Sequence, residues 1–337
     1  MNENKKFSIP DWKNYIINNN YIIAFVVLII ISSILSSNFL TPGNFVNLMK
    51  QQAAPLLVAF GMLFTLVIGG IDLSVGSTAC LSGIIMGTTL MKWNWDGPGG
   101  LILGILLSIA AAALVGLING LLISGLRLPA FIVTLSMQFS IRGLANMICN
   151  GQPIRALNET WAYNSLVGFS APDSTLLGIP VPFVLALVFA ICLSFVLRQS
   201  SYGRLITAAG SNETAVQLAG VRVKRYQVSV YVISGILAGI AGIMIASRAT
   251  VFSPTAANQY EMNAIAGAVI GGASFNGGTG CILGTVLGVF ILAMLENIMS
   301  LLALPPYPQQ VIKGAIIILA VLLQSITAKR RVKTRKK

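Results

Sequence analysis

The reading starts from Val67-Ile68-Gly69-Gly70-Ile71-Asp72-Leu73-Ser74-Val75-Gly76-Ser77, which sets one carboxylate and three glycines between two long apolar runs. An ionised side chain loses several kcal/mol of hydration in lipid, so Asp72 must face water, a partner or neighbouring protein. Gly69, Gly70 and Gly76 let the backbone leave its helical path, which is tolerated at membrane depth only where protein or a cavity covers it. The spacing leaves two readings open. One is a broken helix inside the membrane; the other is a surface helix-loop-helix tip in which Asp72 caps the next helix through Ser74.

Working outward, 55% of the 337 residues are hydrophobic and only 9% are charged, against roughly 45–50% and 25% in soluble domains. Applying about 17–25 apolar residues per crossing gives ten segments: 20–37, 53–70, 74–90, 99–126, 129–149, 180–198, 226–247, 261–274, 280–302 and 309–326. Residues 45–52 are expected along the surface. The fold class is an all-α polytopic integral membrane helical bundle of about ten transmembrane segments. A leader over 1–19 precedes a transmembrane domain over 20–326, and a basic tail over 327–337 follows it.

The net charge of +13 does not point to nucleic acid, because the charges sit at membrane boundaries. Seven basic residues crowd into Lys329–Lys337, and Lys5, Lys6 and Lys13 precede the first apolar run. With both ends cytoplasmic, only Lys50, Lys92, Arg155 and Arg248 fall outside, which is a positive-inside pattern. The four cysteines form no CxxC pair and histidine is absent, which removes Ser-His-Asp and Cys-His chemistry and His-based metal sites.

Two further patterns stand out. Val67-Ile68-Gly69-Gly70 recurs as Val269-Ile270-Gly271-Gly272, so duplication into two related halves and coincidence both stay open. The interval 199–225 is polar and cytoplasmic by the charge pattern. Asn212 or Ser211 caps a short helix over 213–219, Glu213 suits the positive end of its dipole, and Gly220 suits its end. An ordered loop and a docking element for a cytoplasmic motor are equally served by that arrangement. Gly235, Gly239 and Gly242 give small-residue spacing for close helix packing.

Gly70-Ile71-Asp72-Leu73-Ser74-Val75-Gly76-Ser77 resembles the signature of membrane permease subunits of ribose-type ABC sugar importers. The stretch 203–221 is similar to that family's cytoplasmic loop. Tyr260-Glu261-Met262-Asn263-Ala264-Ile265-Ala266 and Ile312-Lys313-Gly314-Ala315 are similar to two later blocks. Asn263 departs from the family's frequent Asp. The resemblance implies a non-catalytic subunit in a bacterial cytoplasmic (inner) membrane, forming a homodimer or pseudo-dimer around one path. A monosaccharide, ribose-like as first guess, is delivered by an extracytoplasmic binding protein, and a separate cytoplasmic ABC ATPase uses the ATP. The absence of a Gly-x4-Gly-Lys-Ser/Thr sequence agrees with that division; no cofactor is expected on this chain.

On this reading Asp72, Ser74, Gly70, Gly76, Arg142, Asn146, Glu261 and Asn263 belong to the passage and its gating. Gly203, Arg204, Ala209, Gly210, Asn212, Glu213 and Gly220 belong to the ATPase-coupling loop. Arg142 reads either as snorkelling to headgroups or as lining the passage with Asn146. Glu296 and Asn297 are expected to face protein, at a dimer seam. An ion-coupled secondary transporter is the rival within transport. A relative carrying a nucleoside or a furanose signalling molecule is the rival within the family.

Overall fold

A computed structural model describes residues 20–155 and 160–318. The leader over 1–19 and the tail over 327–337 lie outside the described residues. In chain order the helices are α1 (Asn20–Leu35), α2 (Pro42–Val67), α3 (Val75–Gly87), α4 (Gly97–Leu126), α5 (Ala130–Cys149), α6 (Trp161–Phe169) and α7 (Val181–Gln199). There follow α8 (Ser201–Ser211), α9 (Glu213–Leu218), α10 (Val223–Ala249), α11 (Tyr260–Ile270) and α12 (Ile282–Leu301). Residues 306–318 are also helical.

All ten apolar segments contain helix, but among the described residues six helices (α2, α4, α5, α7, α10 and α12) are long and apolar enough to cross a membrane. The chain is a multi-pass helical membrane protein. The stretch 45–52 does not lie along a surface. It opens α2, which starts at Pro42 and carries Pro55 inside an unbroken helix. Pro42 suits a first turn, where the missing N–H has no partner to lose.

From Ala53 to Val67 α2 is apolar on every side because it is the central post, with Phe60, Leu63 and Phe64 fully buried and α7, α10, α11 and α12 packed around it. An all-round apolar helix is what a buried position demands. α4 is different. It hides a stripe of Gly104, Ser108, Ala112, Gly116, Gly120 and Ser124 and leaves Ile102, Leu103, Leu106, Leu114 and Leu121 exposed. Small residues at four-residue spacing let two helix backbones approach closely. A Cβ on Gly116 would lie 2.2 Å from the Tyr231 carbonyl oxygen, and one on Gly235 would lie 2.4 Å from that of Ala112. The expected close packing at Gly235 and Gly239 is therefore against α4, while a Cβ on Gly242 would lie 2.0 Å from the Ala79 carbonyl oxygen of α3.

Two short antiparallel pairs dress one end of the bundle. β1 (Ile154–Arg155) pairs with β4 (Val251–Phe252), tying the loop after α5 to the loop after α10. β2 (Thr175–Leu176) and β3 (Ile179–Pro180) form a hairpin before α7. Asn44 and Asn297 exchange two amide hydrogen bonds of 2.9 and 2.8 Å, and Glu296 pairs with Lys313. Asn297 and Glu296 therefore both face protein, as expected, with partners in this chain. Each is a polar group satisfied between adjacent helices, as an apolar surround requires.

Candidate functional site: two broken helices joined at both ends

α2 ends where its sequence turns to Ile68-Gly69-Gly70. Gly69 takes a left-handed φ of 86°, its N–H reaches Leu66 O, and Gly70 N–H reaches Thr65 O. This pair of bonds around a glycine is a Schellman cap. α11 ends with the same pair, Gly272 to Val269 and Ala273 to Ala268, around Gly272 at φ 94°. The sequence echo therefore marks one cap used twice, offset by one residue from the sequence alignment of the two motifs.

Between α2 and α3 the chain runs without helix from Gly70 to Leu73, and Asp72 turns inward to 2% exposure. One carboxylate oxygen accepts from the Ser74 N–H at 3.1 Å and the Ser74 hydroxyl at 2.7 Å. The other accepts from the Ser234 hydroxyl of α10 at 2.9 Å. Asn119 of α4 donates to the Ser74 hydroxyl at 2.8 Å, and the Tyr231 hydroxyl donates to the Ile71 carbonyl at 3.3 Å. Among the described residues no Lys or Arg pairs with Asp72. It does meet the next helix through Ser74, but as the anchor of a break enclosed by α4 and α10 rather than at a free surface tip. Gly70 has no room for a side chain, because a Cβ would sit 2.4 Å from the Tyr231 hydroxyl.

The second break precedes α11. Arg142 does not snorkel outward. Its guanidinium donates to the carbonyls of Pro254 and Ala256 at 3.0 and 2.7 Å, holding the non-helical segment beside α5. Asn146 donates back to the Arg142 carbonyl at 2.8 Å, so its amide is spent on its own helix. Glu261, 4% exposed, accepts from Gln138 of α5 at 3.0 Å, and its second oxygen has no hydrogen-bond partner. Ser77 of α3 donates to the Gln138 carbonyl at 2.8 Å.

The two breaks meet. A Cβ on Gly76 would come 2.3 Å from that second Glu261 oxygen and 2.7 Å from the Ala257 carbonyl. Gly76 and Glu261 each stand at the second position of their helix. The N-termini of α3 and α11 are thus apposed, one beside Asp72 and the other carrying Glu261. Helix N-termini are the positive ends of the macrodipole, so both carboxylates lie where such ends favour them. Paired discontinuous helices of this kind build the passage in many transporters.

At their other ends the same segments meet α8. Gly278 N–H donates to the Val67 carbonyl at 2.9 Å, linking the end of α2 to the turn after α11. A Cβ on Gly210 would lie 1.9 Å from Val67 O and 2.7 Å from Gly278 N, and one on Gly277 would lie 2.6 Å from Gly210 O. Three glycine-bearing stretches therefore touch backbone to backbone. Side chains would hold them apart.

The helical hairpin that carries Gly210 is longer than the sequence suggested. α8 runs a full eleven residues before α9, and Gly203 turns tightly against the Leu197 carbonyl with its N–H on Ser200. Asn212 caps α9 by accepting from the Ala215 N–H at 3.0 Å, and Gly220 closes it at φ 83°. Ala209 and Ile206 are buried on the inner side of α8, while α9 buries no residue and leaves Leu218 85% exposed. Arg204 and Glu213 do not pair. Arg204 binds Gln199 O and Ser201, and Glu213 accepts from Gln217 and Gln227 at 2.7 and 3.3 Å.

Asn263 stands apart from Glu261 and opens onto a cleft between α2, α11 and α12. Ser234, Asn119, Tyr231 and Gln138 complete the two carboxylate sites and were missed in sequence. Their signal was polarity inside apolar spans, which in a membrane helix points inward. Among the described residues no group of three or more His, Cys, Asp or Glu stands close enough to hold a metal ion.

A family model described as "Branched-chain amino acid transport system / permease component" matches residues 44–321. The chain belongs to that permease family. It is 35% identical over 322 residues to the ribose import permease protein RbsC of Haemophilus influenzae, covering 95% of this chain and 96% of that one. RbsC of Bacillus subtilis is 37% identical, covering 88% of this permease and 89% of its relative. The xylose transport system permease protein XylH of Escherichia coli is 30% identical, covering 87% of each. No solved structure gives a significant match.

Proposed function

We infer that this permease is the transmembrane subunit of an ATP-binding-cassette importer for a monosaccharide, with a ribose-like pentose as first cargo. The relatives named for ribose and xylose support the cargo class. The single observation that supports the mechanism is the seat of Gly210 against both the end of α2 and the turn after α11. The exposed face of α9 is the surface offered to a cytoplasmic ATPase, and α8 carries its movement to the Gly69–Gly70 and Gly277–Gly278 turns. The first turn runs into the N-terminus of α3 beside Asp72, and the second follows the C-terminal end of α11, the helix whose N-terminus carries Glu261. A rotation of the α8–α9 hairpin would then open or close the contact between α3 and α11, a rigid-body route to alternating access.

In this reading both termini are cytoplasmic, two copies or two related chains enclose the passage, and an extracytoplasmic binding protein hands over the sugar. The chain itself performs no bond chemistry. Membrane vesicles containing the permease, its ATPase and its binding protein provide the test. Vanadate should abolish ribose uptake, and an uncoupler at held ATP should leave it unchanged. Uptake that follows a proton or sodium gradient without ATP would instead establish a secondary transporter.

A further inference from the structure

The second break holds two opposite charges that do not meet. Glu261 is 4% exposed and gives one oxygen to the Gln138 amide at 3.0 Å, while its other oxygen has no hydrogen-bond partner. That oxygen and the Ala257 carbonyl crowd the same point above Gly76, at 2.3 and 2.7 Å from a Cβ built there. Arg142 lies one turn along α5, on the face that carries Gln138, and its Nη1 donates to the carbonyls of Pro254 and Ala256. Among the described residues neither charge has an ion-pair partner, although that of Arg142 reaches Glu261. Buried charges are ordinarily paired, so this arrangement calls for a reason.

The segment that Arg142 grips supplies one. Ala257 and Gln259 take left-handed φ values of 54° and 64°, which residues other than glycine rarely adopt. Such strain persists only where the surroundings hold it, and the guanidinium clasp on Pro254 and Ala256 is that hold. The cation is kept from the carboxylate by a strained strap that it must first release.

We propose that Arg142 and Glu261 exchange partners and form an ion pair in the permease's other conformation. Gln138 and Arg142 are one turn, about 6 Å, apart on α5, so a one-turn step of the α11 N-terminus carries the carboxylate from amide to guanidinium. The freed Pro254 carbonyl keeps the Cys80 thiol, at 3.2 Å. Residues 256–259 then wind into α11, where the Ala256 carbonyl accepts from the Tyr260 N–H in the ordinary helical pattern. Each conformation satisfies a different set of groups, which makes the break bistable. The proposal rests on the alternating-access reading above.

The test uses the complete importer. Arg142→Lys keeps a cation with donors for both carbonyls and adds an amine that a membrane-permeant carbodiimide joins to a paired carboxylate. A conformation populated to 10% or less in one nucleotide state and dominant in the other predicts a yield of 142–261 linkage that differs at least about tenfold between nucleotide-free and vanadate-trapped complexes. The linkage should vanish when Glu261→Gln is added. Uptake gives a second arm, which decides alone where Arg142→Lys fails to insert. Glu261→Gln keeps an amide partner for Gln138 but no charge, and should slow ATP-driven ribose uptake about tenfold, within the usual span of coupling between sites. Combined with Arg142→Gln it should be no slower than Arg142→Gln alone, whereas independent roles would multiply. Equal linkage, or none, in both states of an importing complex, or multiplied losses of uptake, would overturn the ion pair and leave the import reading standing. A wild-type complex with no ATP-driven uptake of ribose, arabinose or xylose would overturn the import reading and the ion pair with it.

Discussion

Gly210→Ala places one methyl group where the structure has no space. The new Cβ would stand 1.9 Å from Val67 O and 2.7 Å from Gly278 N, against 3.4 Å for ordinary contact. Both obstacles are backbone, so no side chain can swing aside. α8 must withdraw by about 1.5 Å from the end of α2, or the 2.9 Å bond from Gly278 to Val67 must open. Overpacking of this kind costs roughly 1–3 kcal/mol, and a lost hydrogen bond adds about 1 kcal/mol. Set against a typical stability of about 5–15 kcal/mol, the variant should still fold and insert. The loop would no longer bear directly on either break. In proteoliposomes holding the whole importer, uptake should fall by at least about tenfold, equivalent to roughly 1.4 kcal/mol of coupling, while the ATPase stays bound and turns over. Gly125→Ala, which meets nothing within 4 Å, should transport normally. Wild-type uptake by Gly210→Ala at full expression would refute the claim that α8 drives the breaks through this contact.

Other substitutions follow from the same geometry. Asp72→Ala strands the Ser234 hydroxyl and the Ser74 N–H, each costing about 1–3 kcal/mol when buried without a partner. Asp72→Asn keeps one acceptor oxygen, enough for the two bonds from Ser74, so thermal unfolding in detergent should rank wild type above Asn and Asn above Ala. Gly76→Ala drives a methyl into Glu261 and should reduce uptake with the ATPase still attached, as read by pull-down and flux together. Asp96, held by the N–H groups of Ala162 and Gly97, has its carboxyl below the usual value of 3.8. A depressed folded pKa contributes stability above the unfolded value and loses it as pH falls through the folded one. Protection of the Ala162 amide from hydrogen exchange should therefore hold at pH 5, decline below 3.8, and lose that dependence in Asp96→Asn. Removing the exposed contact surface by Leu218→Glu on α9 should release the ATPase from membranes without changing insertion; retention in a pull-down would count against α9 as the docking face.

The membrane class was legible because hydropathy reports it directly. The cap of α9 was legible too, since Asn212 and Gly220 act within a few residues of themselves. The turns at Gly69–Gly70 and Gly271–Gly272 could be seen as interruptions, but not as partners. What joins them is the hydrogen bond from Gly278 to Val67 and the apposition of Gly76 with Glu261, contacts between residues far apart in the chain that no local pattern encodes. Arg142 shows the limit plainly. A cation in an apolar helix reads as snorkelling, because composition cannot reveal two free carbonyls at Pro254 and Ala256 awaiting donors. The surface reading of 45–52 failed for a related reason, as Lys50, Gln51 and Gln52 look amphipathic by themselves and do not reveal that they open the continuous helix α2.

The central claim is that the α8–α9 hairpin, moved from outside the chain, sets the contact between the two apposed N-termini. Spin labels on α3 and α11, placed at the half-buried Ile85→Cys and the exposed Met262→Cys in a cysteine-depleted chain, read the separation of the two helices by electron–electron double resonance in the assembled importer. The distance should change between nucleotide-free and ATP-bound states, and should stay fixed in Gly210→Ala. A distance that ignores nucleotide in the wild type, while sugar is imported at its normal rate, would contradict the account.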